Sequence, residues 1–219
     1  MISFLRHLSA PAEFCLVLFL GFGVQIHSAV RAIVGQRKRP APGQVQLSNA
    51  DVLRTVAVEL VSLGATLWFG SIRGWSLATF GLHISWKGTA AGVLLFAGLL
   101  VAGTLLSSAL NLFHPRKAIT RFVGMTLPFA VLLSVVNPIF EETIESGYFI
   151  HALQHFGMWP AVLASAVITC FLHAYLGIDA VADVLLPRVI FGLVYWRWRQ
   201  LWPIVLAHSL LDFLALAAA

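Results

Sequence analysis

The stretch NPIFEETIESGYF, Asn137 to Phe149, places Glu141, Glu142 and Glu145 within five residues, directly after a long apolar run. A group of carboxyls of this kind suits a general base that takes a proton from water. At helical spacing Glu141 and Glu145 share one face as an i, i+4 pair, and Glu142 is offset to the side. Position alone fits a solvated helix end just outside a bilayer equally well.

Two further groups lie later in the chain. His208 and Asp212, in LWPIVLAHSLLDFLAL, form an HxxxD pair on one helix face. That spacing suits two ligands of one metal, or a carboxylate that orients an imidazole. An acid and a histidine inside an apolar run are costly, so packing explains them poorly. His173, in VITCFLHAYLG, would taken alone be a packed, hydrogen-bonded histidine. Asp179 and Asp183 are also spaced i, i+4 and are followed by Arg188. They can cap helices, pair with Arg188 or line an entrance, and the spacing does not choose among these. His151 and His155 are close in sequence to the glutamates; the other histidines fall near loops and read as interfacial. If the glutamates, His173 and the His208–Asp212 pair converge, they enclose a polar cavity able to activate water, with or without a divalent metal such as zinc. The matching reaction class is hydrolysis within a membrane.

The elements that must position these residues are membrane helices. Of 219 residues 59% are hydrophobic and 11% charged, with a mean hydropathy of +0.89. Soluble domains carry about 25% charged residues, so the surrounding solvent is lipid. The net charge is +5, but the basic residues sit between apolar runs, in RAIVGQRKR, HPRKAITR and RWR. That is the signature of topology and anionic-lipid contact, and it argues against nucleic acid. Cys15 and Cys170 lie in apolar runs and read as small buried hydrophobes, with no disulfide or zinc-thiolate framework. The N-terminal apolar run reads as a retained first span.

Spans of about 20 apolar residues are predicted at Ala12 to Ala32, Val52 to Gly70, Thr89 to Phe113, Phe122 to Phe140, Pro160 to Ile178, Val181 to Trp196 and Leu201 to Ala217. The expected fold is an all-α polytopic bundle of six to seven transmembrane helices around a polar cavity. The sixth segment, which contains Pro187 and Arg188, is expected to be broken or re-entrant. The reading divides the chain into two N-terminal helices over residues 1–70, with a basic linker at 35–50, and a helical core over 71–219. SNAD supplies helix N-caps for the second span. The tryptophans fall at span ends as an interfacial belt, and the positive loops near residues 37 and 114 favour the cytoplasmic side.

EETIESGY, TCFLH and HSLLD occur in an order and spacing that resembles the CPBP family of intramembrane proteases. That family includes type II CAAX prenyl endopeptidases and bacterial bacteriocin-immunity or Abi proteins. Its pattern is EExxxR, FxxxH and HxxxN or HxxxD, each on a transmembrane helix, and the likeness runs from about Ser71 to Leu214. It implies a helical bundle whose cavity opens to membrane and cytosol. Carried over by position, Glu141 is the base, Glu142 its motif partner, and His173 and His208 hold the water or a metal and stabilise the oxyanion. Asp212 completes the site where Asn is common, and His173, His208 and Asp212 are the candidate metal ligands. Ser146 stands in place of the motif Arg and Thr169 in place of Phe. The missing charge must then be supplied by a proton, a metal, Arg188 or a partner.

The resemblance implies an integral protein of a bacterial cytoplasmic membrane. It would cleave a membrane-associated peptide, either prenylated or bacteriocin-like, and its other contacts are membrane lipids, with no nucleic acid. A non-catalytic binding protein on the same scaffold is the first alternative, resting on Ser146. An ion- or proton-coupled transporter is the second, though inverted repeats are not evident.

Overall fold

The computed structural model describes residues 2–35, 44–113, 121–174 and 178–217. The basic clusters at 37–39 and 114–120 lie outside the described residues, as do the side chains of Asp179 and Asp183. The elements in chain order are α1 (Ile2–Arg6), α2 (Ala10–Ile33), β1 (Gln44–Gln46), α3 (Asn49–Ile72), α4 (Trp86–Phe113), β2 (Arg121–Val123) and α5 (Leu127–Glu142). A π-helical segment, Thr143–Phe149, follows, then α6 (Ile150–Leu153), a short 3-10 turn, α7 (Met158–Leu172), α8 (Ile178–Trp198) and α9 (Trp202–Ala217). The fold is all-α apart from one small parallel sheet, in which Gln44 pairs with Arg121 and Gln46 with Val123.

Each of the seven expected spans overlaps a helix, the fifth ending at Leu172. Four apolar stretches are long enough to cross a membrane: Ala10–Ile33, Asn49–Ile72, Trp86–Ala109 and Leu127–Phe156; Met158–Leu172 and Trp202–Ala217 are shorter apolar helices. The chain is an integral membrane protein. Three expectations need correction. The fourth span starts at Leu127 rather than Phe122, because Phe122 pairs in β2. The sixth segment is not broken: α8 continues through Pro187. Cys15 is exposed and Cys170 half-buried; a thiol is apolar enough to face lipid, so membrane burial does not require protein burial.

Capping and register follow from local chemistry. Ser48 and Asp51 form a capping box at the start of α3: Ser48 Oγ accepts from the Asp51 N–H at 3.2 Å, and the Ser48 N–H donates to Asp51 Oδ2 at 3.1 Å. Asn49 Oδ1 then accepts the N–H of Thr126, at the start of α5, at 2.8 Å. With β1 and β2 parallel, α3 and α5 therefore leave the same end of the molecule and run in the same direction.

The helices pack in a ring: α4 on α9, α9 on α5, α5 on α3, α3 on α2, α2 on α7, α7 on α8, with α8 returning to α4 and α9. The π segment is enclosed by α5, α6, α7 and α8, and all seven of its residues are buried. Two glycines permit the close approaches that bring α8 and α9 inward. A Cβ on Gly192 would stand 2.9 Å from Val162 Cγ1, and one on Gly92 would stand 2.8 Å from the carbonyl oxygen of Pro203. The main core gathers Phe22, Phe140, Ile144, Phe149, Phe191 and Ile204 around this segment.

Candidate active site

α5 is prepared for an irregular turn. Pro138 inside the helix removes one backbone donor. Ser134 and Thr143 turn their hydroxyls back to the carbonyls of Ala130 and Ile139, each at 2.7 Å, a contact that bends helices. Immediately after Glu142 the chain widens into the π segment. Such turns wind more residues per turn and recur at functional sites. The 100° spacing therefore no longer holds after Glu142, and the three glutamates distribute differently from the expectation that Glu141 and Glu145 share a face.

Glu142 and Glu145, both with fully buried side chains, form ion pairs with one guanidinium, that of Arg188 on α8. Glu142 also accepts from Ser146 Oγ at 2.6 Å and lies 2.8 Å from His208 Nδ1. Since a carboxylate only accepts, His208 Nδ1 carries hydrogen, and its Nε2 turns toward Asp212 Oδ1 at 3.5 Å and Glu141 Oε2 at 3.9 Å. Phe191 backs this arrangement, 5.4 Å from the Arg188 guanidinium and 5.7 Å from the His208 ring.

Glu141 has a different environment. Its side chain keeps 13% of its surface accessible, and those of His173, His208 and Asp212 keep 21%, 16% and 28%. His173 Nδ1 lies 3.0 Å from the Thr169 carbonyl. A carbonyl cannot donate, so Nδ1 carries hydrogen and Nε2 is directed at Glu141 Oε1, 3.9 Å away. Glu141 thus stands between two imidazoles, beyond direct hydrogen-bond range of either.

The five residues singled out in the sequence come together: Glu141 and Glu142 from α5, His173 from the end of α7, and His208 with Asp212 from α9. His151 and His155 do not join them; His151 meets Phe80 edge-on and His155 packs on Phe156. Thr169 contributes through its backbone, so the Phe-to-Thr departure leaves the anchor of His173 intact. Arg188 fills the electrostatic place left by Ser146. Glu59 is an acid buried on α3. The sequence reading passed over it, although an acid within the predicted span Val52 to Gly70 was the available signal.

Among the described residues no group of three or more His, Cys, Asp or Glu side chains has an arrangement that holds a metal ion. His208 Nδ1 is already engaged by Glu142. His173, His208 and Asp212 do not form a ready ligand set.

Residues 123–214 match the family model described as type II CAAX prenyl endopeptidase Rce1-like. Over these residues the chain is similar to a family of CAAX-type intramembrane proteases. The Rce1-like match holds all five site residues and Arg188, and it starts later than the likeness read from the motifs, leaving α2, α3 and α4 outside. No curated protein and no solved structure matches the chain.

Proposed function

We infer that the protein is an endopeptidase that hydrolyses a peptide bond of a membrane-associated peptide, with Glu141 as the base. The observation that carries this reading is the separation of roles between adjacent glutamates. Glu142 is spent on Arg188, Ser146 and His208, whereas Glu141 is accessible and lies 3.9 Å from an imidazole Nε2 on each side. A polar separation of that length suits a bridging water.

In the proposed reaction Glu141 takes one proton from that water. The water oxygen bonds to the peptide carbonyl carbon, and the carbonyl π electrons move to oxygen. His208, donating from a protonated Nε2, stabilises the oxyanion, and Glu142 and Asp212 hold its ring. His173, anchored by the Thr169 carbonyl, positions the water through Nε2. The C–N bond then breaks, its electron pair goes to nitrogen, and Glu141 delivers its proton there. A base or acid placed in this way contributes about 10²–10⁴-fold.

The substrate class consistent with the family is a peptide presented at the membrane, prenylated at a CAAX end or unmodified and bacteriocin-like. The setting consistent with the basic loops is a bacterial cytoplasmic membrane. The pairing of Arg188 with Glu142 and Glu145 supports catalysis over the non-catalytic reading, since that alternative rested on the charge missing at Ser146.

The test is cleavage of quenched fluorescent peptides, farnesylated and unmodified, by protein reconstituted in liposomes. Cleavage by the wild type and its loss in Glu141→Gln and His208→Ala are expected. Cleavage that survives both substitutions overturns the assignment, and unequal rates on the two peptide sets identify the substrate class.

A further inference from the structure

Glu59 is 3% exposed and belongs to the buried stripe of α3 formed by Val52, Val56, Glu59, Thr66 and Phe69. Helical periodicity calls for apolar side chains along such a stripe. Its Oε2 atom has no hydrogen-bond partner among the described residues, and neither has Nδ2 of Asn137. An unsatisfied buried polar atom is expensive, and each one calls for a partner.

The register of the helices brings these two atoms to one level. Asn49 bonds Thr126, 77 residues on, and Gln44 pairs with Arg121 at the same offset. Both helices rise about 1.5 Å per residue in the same direction, so Glu59 is level with Val136 and Asn137. α9 runs the opposite way: His208 reaches Glu142, and Leu216 packs with Val52, Val56, Ala130 and Leu133. Asp212 falls between those points, also at the depth of Asn137. Three polar residues from α3, α5 and α9 thus fall at one level, one helical turn from Glu141. The apolar cluster of Val52, Val56, Ala130, Leu133 and Leu216 closes the far side.

We propose that Glu59, Asn137 and Asp212 form a water-binding layer that feeds the hydrolytic water to Glu141, with the buried Glu59 as its positioning residue. The donor and acceptor types match one bound water. It accepts from Asn137 Nδ2, donates to Glu59 Oε2, and donates its second hydrogen to Asp212 or Glu141. Buried waters make about three such bonds. A membrane-embedded hydrolase consumes one water in each turnover and has lipid around it, so a held water adjacent to the base answers a physical need. Glu59 lies outside the Rce1-like match, so α3 would contribute a residue to the reaction from the N-terminal part of the chain. This inference rests on the hydrolytic reading of Glu141.

Two measurements on the full-length protein test it, and their failures are distinguishable. Radiolytic footprinting detects bound water without requiring activity. Oxidation of Leu133 and Val136 with slow exchange against ¹⁸O-labelled bulk water is expected in the wild type, and its loss in Glu59→Leu. Absence of that labelling in the wild type, or its persistence in Glu59→Leu, overturns the proposal whether or not peptide is cleaved. In the cleavage assay Glu59→Leu is expected to lower kcat at least tenfold with little change in KM. Glu59→Gln, which keeps an acceptor oxygen, is expected to recover part of the loss. Wild-type kcat in a folded Glu59→Leu protein overturns the proposal and leaves the role of Glu141 standing. Cleavage unaffected by Glu141→Gln overturns the hydrolytic reading instead, while the footprint still reports on the water.

Discussion

Arg188 pairs with Glu142 across 46 residues of sequence, and the pair is buried on both sides. The guanidinium also takes Glu145, so one cation from α8 compensates two anions, one at the end of α5 and one on the π segment. Removing one partner of a buried ion pair leaves an uncompensated charge and costs about 3–5 kcal/mol. Arg188→Ala should therefore lower the detergent Tm sharply and abolish cleavage. Ser146 is one turn from Glu142 and already touches it, so Arg188→Ala with Ser146→Arg should recover part of both. A double variant no better than Arg188→Ala in thermal unfolding and cleavage assays would show that the position of the cation matters as much as its charge.

The adjacent glutamates should respond differently to the same change. Glu141 makes no hydrogen bond within 3.5 Å among the described residues, and its nearest imidazole nitrogens lie at 3.9 Å. Glu141→Gln should preserve the Tm and lower kcat by about 10²–10⁴-fold. Glu142→Gln weakens contacts with Arg188, His208 and Ser146, so it should lower the Tm as well as the rate. Parallel melting curves and single-turnover kinetics separate the two behaviours.

Gly192 sets the distance between α8 and α7. Gly192→Val would press on Val162, and overpacking of this kind costs about 1–3 kcal/mol. Because Gly192 is one turn beyond Arg188, the displaced helix should also lose activity. Val162→Ala in the same chain makes room and should restore Tm and cleavage together; restoration of Tm alone would uncouple α8 placement from the site.

Glu13 on α2 ion-pairs with Arg73 at the end of α3, and Tyr148 of the π segment donates to Glu13 at 3.4 Å. Arg73 also bonds the carbonyl of Arg6. The pair is partly solvent-accessible, so Arg73→Ala should destabilise by about 1–2 kcal/mol, less than a fully buried pair. Tyr148 also packs on Trp75 with ring centroids 4.9 Å apart, so Tyr148→Phe should be the milder change. Chemical denaturation in mixed micelles measures both.

The helices were legible because lipid imposes a length and a composition that hydropathy reports directly. The motif residues were legible because acids and histidines are rare in such runs. Other features depend on three-dimensional register. Pro187 suggested a break, yet α8 continues through it, as membrane helices can when neighbouring groups satisfy the freed carbonyl. The π turn could not be read, since its cause is distributed over Pro138, Ser134 and Thr143 rather than carried by one residue. It is also why Glu145 joins Glu142 at Arg188 instead of sharing a face with Glu141. The anchoring of His173 by Thr169 was hidden because a backbone carbonyl leaves no mark in the side-chain alphabet.

The three-residue sheet has a bearing on biosynthesis. β1 and β2 flank α3 and α4 together, so their pairing requires α4 to return the chain to the side from which α3 set out. The contact is non-local and closes a long loop, which makes it slow relative to helix formation. α9, emerging last, brings His208 to Glu142. During translation the glutamates therefore enter the membrane before Arg188 and before their histidine partner. Until α8 and α9 are made, the charges of these glutamates lack the cation and the imidazole that hold them in the finished fold.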